Sequence, residues 1–207
     1  MGDISRQSHW ENVYATKREN EVSWFQQSPM PSLDLIMQAE PTLSSAIVDI
    51  GGGASRLVDN LLERGFKDIT VLDLSAAALA ADKARLGSRA EQVNWIVADV
   101  TRWEPARAYD IWHDRAAFHF LTDASDRAAY IARLERGLKV GGHAIIATFA
   151  PDGPEKCSGL PVARYDSAGL ARTLGAAFKL IHTQRHAHTT PWQARQAFQF
   201  SIFRREG

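Results

Sequence analysis

Ala46-Ile-Val-Asp49-Ile-Gly51-Gly52-Gly53-Ala-Ser55 is a short β-branched apolar run that ends on three consecutive glycines. Leu57, Val58, Leu61 and Leu62 follow at helical spacing, so the segment reads strand, tight turn, helix. Glycines at such a turn let the backbone bend sharply and let a ligand lie against it without Cβ atoms in the way. The helix behind the turn points its positive end toward that ligand. The dinucleotide pattern G-x-G-x-x-G would need Gly51, Gly53 and a glycine at 56, where Arg56 stands. A G-x-G-x-G pattern would need a glycine at 55, and the small Ser55 fits that place better.

The same rhythm continues on the C-terminal side. Gly65 ends the first helix, and Ile69–Leu72 reads as a strand running into Asp73. Ser75 caps an Ala-rich helix through about Leu86. Val93–Ala98 is a third strand ending at Asp99, and Tyr109–Trp112 a fourth ending near Asp114. Ser125 or Asp126 opens a helix carrying Tyr130, Ile131, Leu134 and Leu138, and Gly141-Gly142 reads as a turn into a strand at Ala144–Phe149. Residues 151–165 read as irregular, and Ser167 opens a last helix. Strands at Phe178–Gln184 and Ala197–Phe203 have no helix between them and can pair antiparallel across His188–Arg195. Alternating strands and helices predict an α/β protein, its parallel sheet covered on both faces. Such sheets bind ligands at the carboxyl ends of their strands, where Gly51, Asp73, Asp99 and Asp114 all fall.

Composition narrows the function. The 207 residues suit one domain, and 24 basic residues balance 24 acidic ones, without the basic excess of a nucleic-acid binder. The single cysteine, Cys157, excludes an internal disulfide and fits a reducing compartment. Met1–Trp10 is polar, unlike a secretory leader, and no apolar run approaches the ~20 residues that span a bilayer. A cytoplasmic protein without membrane partners is expected, and nothing in the sequence fixes its oligomeric state.

The acids carry specific chemistry. Asp73, twenty residues past Gly53, can accept both hydroxyls of a ribose. Asp99 can face the exocyclic amine of an adenine, with Leu74 and Val100 flanking the ring. Taken together, VDIGGGAS, VLDLS, VADV, YDIWHDRAAFHFL and LKVGG resemble the motif series of the class I S-adenosylmethionine-dependent methyltransferases. The likeness runs from about Ala46 to Phe203, with Ser55 the one departure in the glycine motif. It implies a Rossmann-like core over 46–207 with seven strands and an antiparallel last strand. It implies S-adenosyl-L-methionine as cofactor, contacted by Asp49, Gly51, Gly53, Asp73, Leu74, Asp99 and Val100.

The N-terminal HWENVYATKRENEVSWF resembles the start of thiopurine methyltransferase-like enzymes and of some protein-lysine methyltransferases. In those proteins the segment folds over the donor, which makes residues 1–40 a candidate lid and Trp10, Tyr14, Trp24 and Phe25 its candidate aromatic contacts. Aromatic faces attract a sulfonium cation and exclude water. By the same resemblance Asp114 sits near the methionine amino group with Arg115 beside it, and Phe118, His119 and Phe120 begin the acceptor wall. His119 could take a proton from the acceptor. An Asn-Pro-Pro-Tyr motif, typical of nucleic-acid amino-methyltransferases, does not occur there. Cys157 and the histidines at 182, 186 and 188 read as a free thiol and strand residues rather than a metal site. The expected function is methyl transfer to a small molecule. The alternatives are methylation of a protein lysine, or donor binding without turnover.

Overall fold

A computed structural model describes residues 3–207, with side chains from Arg6 onward; Met1 and Gly2, at the head of the expected 1–40 segment, lie outside the described residues. In chain order the elements are α1 (Asp3–Thr16), α2 (Ser32–Gln38), β1 (Ala46–Ile50), α3 (Leu57–Glu63), β2 (Asp68–Asp73), α4 (Ala76–Leu86), β3 (Val93–Val97), β4 (Tyr109–Arg115), α5 (Ala124–Gly137) and β5 (Leu138–Phe149). A two-residue hairpin, β6 (Lys156–Cys157) and β7 (Leu160–Pro161), precedes α6 (Ser167–Leu174), β8 (Phe178–Thr189) and β9 (Arg195–Arg205). The hairpin gives order to part of a tract expected to be irregular.

The main sheet has seven strands in the order β3-β2-β1-β4-β5-β9-β8. The pairs from β3 to β5 are parallel, and β9 runs antiparallel to both β5 and β8. Successive strand residues face opposite sides, and here both sides are covered. Ile47, Val71, Ile111 and Ile145 pack with Leu57 and Leu61 of α3, Ile36 of α2 and Leu79 of α4. Val48, Ile50, Trp112 and Ile146 pack on the other side with Tyr130 and Leu134 of α5 and Leu170 of α6.

Most expected elements form within a residue or two, and the differences have local causes. Gly141 and Gly142 lie inside β5 rather than in a turn before it: Gly141 takes φ +80° and the β4–β5 register shifts between Tyr109 and Ile111. The glycines thus absorb a bulge, which lets the strand begin at Leu138. Helix α5 starts at Ala124, just ahead of the expected Ser125 or Asp126, while α6 opens at Ser167 as expected, capped by the preceding Asp166, whose carboxylate accepts the Gly169 N–H at 2.6 Å. Strands β8 and β9 outrun their apolar centres because their polar ends pair with each other out to Thr189 and Arg195.

Register places the strand ends level. Ile50 lies beside both Leu72 and Asp114, and Asp73 beside Val97. The sheet order reverses between β1 and β4, and a crevice opens there at the carboxyl ends. Among the described residues no helix is long and apolar enough to cross a membrane.

Candidate active site

The glycine turn is held to the neighbouring strand. The N–H groups of Gly51 and Gly52 both donate to the Leu72 carbonyl, at 2.8 and 3.2 Å. Gly51 and Gly53 adopt φ +64° and +52°, which disfavours any side chain. A Cβ on Gly51 would stand 2.8 Å from the Ala117 Cβ, and one on Gly53 would strike the Tyr14 hydroxyl.

One cavity receives the ends of β1, β2, β3 and β4. Ile50, Gly51, Asp73, Leu74, Asp99 and Val100 line one part of it. Counted to its open mouth its empty space is about 910 Å³. Asp73 Oδ1 accepts the Ser75 N–H at 2.8 Å. Burial pushes this carboxyl up to about 7, against the pull of the Ser75 and Gly53 amides. Asp99 Oδ1 accepts the Thr101 N–H at 2.8 Å and its hydroxyl at 2.7 Å, which fixes the side chain. Asp99 Oδ2 is buried and has no partner among the described residues. An acceptor left unpaired in a cavity wall is costly unless a ligand completes it.

The rest of the cavity is aromatic. Trp10, Tyr14, Trp24 and Phe120 line it together. The Trp10 ring lies 5.6 Å from Trp24 and 5.1 Å from Phe120, edge to face in both cases. Tyr14 lies 6.1 Å from Trp24. Arg115 enters beside them and donates from Nη1 to the Trp24 carbonyl at 3.1 Å. Phe149, Cys157, Gln196 and Phe198 complete that side. Burial pushes the Cys157 thiol up to about 11, although Ser23 and Arg115 act to lower it.

Comparison with known proteins places this geometry. Residues 47–142 match the family model described as a methyltransferase domain. The likeness is to methyltransferase domains and covers just under half of the chain. A malonyl-[acyl-carrier protein] O-methyltransferase of Ilyobacter polytropus is 28% identical over 107 residues, covering 51% of this chain and 40% of that protein. A trans-aconitate 2-methyltransferase of Rhizobium leguminosarum bv. trifolii is 27% identical over 178 residues, 86% of this chain and 57% of that protein. The chain thus spans about half the length of these relatives. The solved 1,6-didemethyltoxoflavin-N1-methyltransferase of Burkholderia thailandensis, with bound 1,6-didemethyltoxoflavin and S-adenosylhomocysteine, shares the fold. Its TM-score is 0.75 at 20% identity, covering 100% of this chain and 92% of that one.

The fold does not bring all the expected site residues to the cavity. Trp10, Tyr14, Trp24, Gly51, Asp73, Leu74, Asp99, Val100 and Arg115 line it. Gly53 lies just behind, under the Tyr14 hydroxyl. Asp49 is turned below the glycine turn, where its Oδ1 accepts the His113 Nδ1–H at 2.7 Å. Asp114, expected at the methionine end, is fully buried on the opposite side of its strand. Its carboxylate accepts the Ala117 N–H at 2.8 Å, the Phe118 N–H and, at 2.8 Å, the Tyr130 hydroxyl. It shapes the chain behind the wall. His119, expected to take a proton, is also fully buried and outside the lining. The Phe149 N–H donates to its Nδ1 at 3.3 Å, and burial pushes the imidazole down to about 3. A ring held neutral and away from the cavity has no path to an acceptor's proton. Phe118 packs on Tyr130 and Tyr165, so Phe120 alone of the expected trio reaches the cavity. Phe25 lies outside it, under the Arg56 guanidinium.

One residue that the sequence did not mark fastens the aromatic helix. Glu11 of α1 reaches the start of α4, where Oε1 accepts the Ala76 N–H at 2.7 Å and Oε2 the Ala77 N–H and the Ser75 hydroxyl, each at 3.1 Å. Burial acts to raise its pKa, but these three donors win and lower it. Arg6 pairs with Asp126 at 2.7 Å, and His9 approaches the Ser158 hydroxyl at 3.4 Å. Among the described residues no group of three His, Cys, Asp or Glu is placed to hold a metal. The His188 Nε2–H donates to the Ser23 carbonyl at 2.7 Å.

Proposed function

We propose that this chain transfers a methyl group from S-adenosylmethionine to a small-molecule nucleophile. The observation that carries the reading is the cavity itself: a carboxylate at the end of β2, an unpaired carboxylate oxygen at the end of β3 and an aromatic box all face one space. Asp73 would accept the ribose hydroxyls, and Asp99 Oδ2 an N–H of the adenine amine, with Leu74 and Val100 against the ring. Gly51 would let the methionine part pass close to the backbone. When bound, S-adenosylmethionine supplies a methyl group on a positively charged sulfur, and its departure leaves a neutral thioether. Trp10, Tyr14, Trp24 and Phe120 would favour that positive charge and keep water away. The remaining task of the protein is to align the nucleophile. With Asp114 and His119 behind the wall, the acceptor is one that arrives without a proton to lose.

Calorimetry with S-adenosylmethionine and S-adenosylhomocysteine tests the donor half, and transfer of a labelled methyl group to a panel of small acceptors tests the rest. Absence of binding to both compounds refutes the reading. Binding without transfer to any acceptor favours a donor-binding protein without turnover. Transfer to a folded protein but to no small molecule favours the lysine alternative.

A further inference from the structure

A second recess adjoins the aromatic end of the cavity and shares Trp24, Cys157 and Gln196 with it. Its outer wall carries Lys17 from the end of α1, Lys156 from β6, His9 and the 58%-exposed Trp192. No Asp or Glu lines this recess among the described residues, and neither lysine is in an ion pair there. Glu155, the acid adjacent to Lys156, is engaged with Arg164 at 3.1 Å. Past the shared wall, in the main cavity, stands Arg115, with no carboxylate in ion-pair distance among the described residues, Asp49 acting on it at longer range and the Trp24 carbonyl as its hydrogen-bond acceptor. Asp73 and Asp99 line the main cavity but not this recess, and Asp73 stands near the Tyr14 hydroxyl.

We propose that this recess is the acceptor's entrance and that the acceptor is a small carboxylate-bearing anion. Lys17 and Lys156 draw it in, and Arg115 holds its carboxylate. The proposal deepens the methyltransferase reading and rests on it. Three physical points support it. Burial holds the Arg115 guanidinium below its usual range although Asp49 acts to raise it, and an anionic ligand beside it offsets that desolvation. A recess lined by one sign of charge concentrates ligands of the opposite sign. An anion also needs no base, and Arg115, Cys157, Gln196 and the aromatic rings at this end offer none at neutral pH. A lysine side chain, by contrast, would enter past two lysines toward an arginine.

The test uses the full chain and begins with S-adenosylhomocysteine binding, which judges the methyltransferase reading separately. Labelled methyl transfer is then measured on small carboxylic acids, each matched to its carboxamide and to an amine of the same skeleton. Acids are expected to be turned over at least tenfold faster than their matched partners. The double variant K17E/K156E should raise KM for an acid about tenfold and flatten its salt dependence, with kcat within twofold. Intact S-adenosylhomocysteine binding with neutral or cationic acceptors preferred, with no acid turned over, or with KM unmoved in K17E/K156E overturns the proposal. The donor's own carboxylate is the other source of negative charge for Arg115, and R115M separates the two. Acceptor KM should rise while S-adenosylhomocysteine affinity stays within threefold; a loss confined to S-adenosylhomocysteine assigns the arginine to the donor and removes it from the acceptor site.

Discussion

Replacing Glu11 by alanine should release the aromatic helix without unfolding the sheet. Its carboxylate takes the Ala76 and Ala77 N–H groups and the Ser75 hydroxyl, at 2.7, 3.1 and 3.1 Å. Losing an acceptor at a helix start costs about 0.5–2 kcal/mol, and a negative charge there adds about 0.3–1 kcal/mol. Ser75 still caps α4 through the Ala78 N–H at 3.2 Å, so α4 itself keeps a cap. Most of the loss, about 1–2 kcal/mol, therefore falls on the docking of α1 and shifts that equilibrium by a factor of about 5–30. The other polar fastenings are weak replacements. The Arg6–Asp126 pair is about a quarter exposed on each side, worth ~0–1 kcal/mol, and the His9–Ser158 contact is long at 3.4 Å. Because α1 carries Trp10 and Tyr14, S-adenosylhomocysteine should bind E11A up to about 5–30 times more weakly. Amide hydrogen exchange over residues 6–16 should speed up by a similar factor, while exchange in β1 and β4 stays unchanged. The glutamine variant keeps a carbonyl acceptor but loses the charge, and should fall between. Unchanged exchange over 6–16 with affinity within twofold refutes the reasoning. So does faster exchange confined to α4, which would make Glu11 a cap for α4 and no fastening for α1.

Three other outcomes follow from the same geometry. Asp73 is raised to about 7 by burial, and ribose hydroxyls need it ionised, so S-adenosylhomocysteine affinity should be full above pH 7 and weaken about tenfold per unit below it. The native chain holds a proton that the unfolded chain releases, so this group makes the fold less stable as pH rises from about 4 to about 7. D73N should flatten the affinity profile between pH 5 and 8, and a flat wild-type profile contradicts the assignment. Tyr130→Phe removes the hydroxyl joining Asp114 to the Trp112 indole, at 2.8 Å on both sides. It should cost about 1–3 kcal/mol in urea unfolding with S-adenosylhomocysteine affinity within threefold; a selective loss of binding would place Asp114 in the site after all. Gly53→Ala should weaken donor binding by forcing the Tyr14 hydroxyl away, and Y14F should recover part of that loss; strictly additive effects would exclude the contact.

Legibility in the sequence followed the range of the interactions. The glycine turn, Asp73 and Asp99 were readable because a strand end and the turn after it are local, and sheet register then brings such ends level. Arg115 and Asp114 show where local reading stops. Adjacent strand residues must face opposite ways, so only one of the pair could reach the cavity. Both faces of a central parallel strand are buried, however, and the pattern around residues 112–115 does not say which face holds the ligand. The turn at 118–120 defeats periodicity altogether, sending Phe118 and His119 inward and Phe120 to the cavity. Glu11 was illegible for a different reason, since its partners lie 64 to 66 residues away on α4 and no motif near Trp10 announces them.

The two ends of the cavity are also built differently, and that bears on how such a site can change. The end proposed for the donor stands on β1 and β2, whose terminal residues are fixed by parallel ladders and by buried packing on both faces, and on the edge strand β3, fixed by its ladder to β2. Moving Asp73 or Asp99 would mean shifting a strand, and a slip of one residue would turn its core side chains outward. The entrance proposed for the acceptor stands on α1, the β6–β7 hairpin and the turn after β8, so Lys17, Lys156 and Trp192 sit on exposed positions outside the main sheet's ladders. Exposed substitutions away from packed contacts usually change stability by less than about 0.5 kcal/mol. Residues at the entrance can therefore change sign or size at little cost to the fold, while the donor end cannot. Charge at 17 and 156 is where a change of acceptor would be written first, and the sheet would carry the same donor geometry through that change.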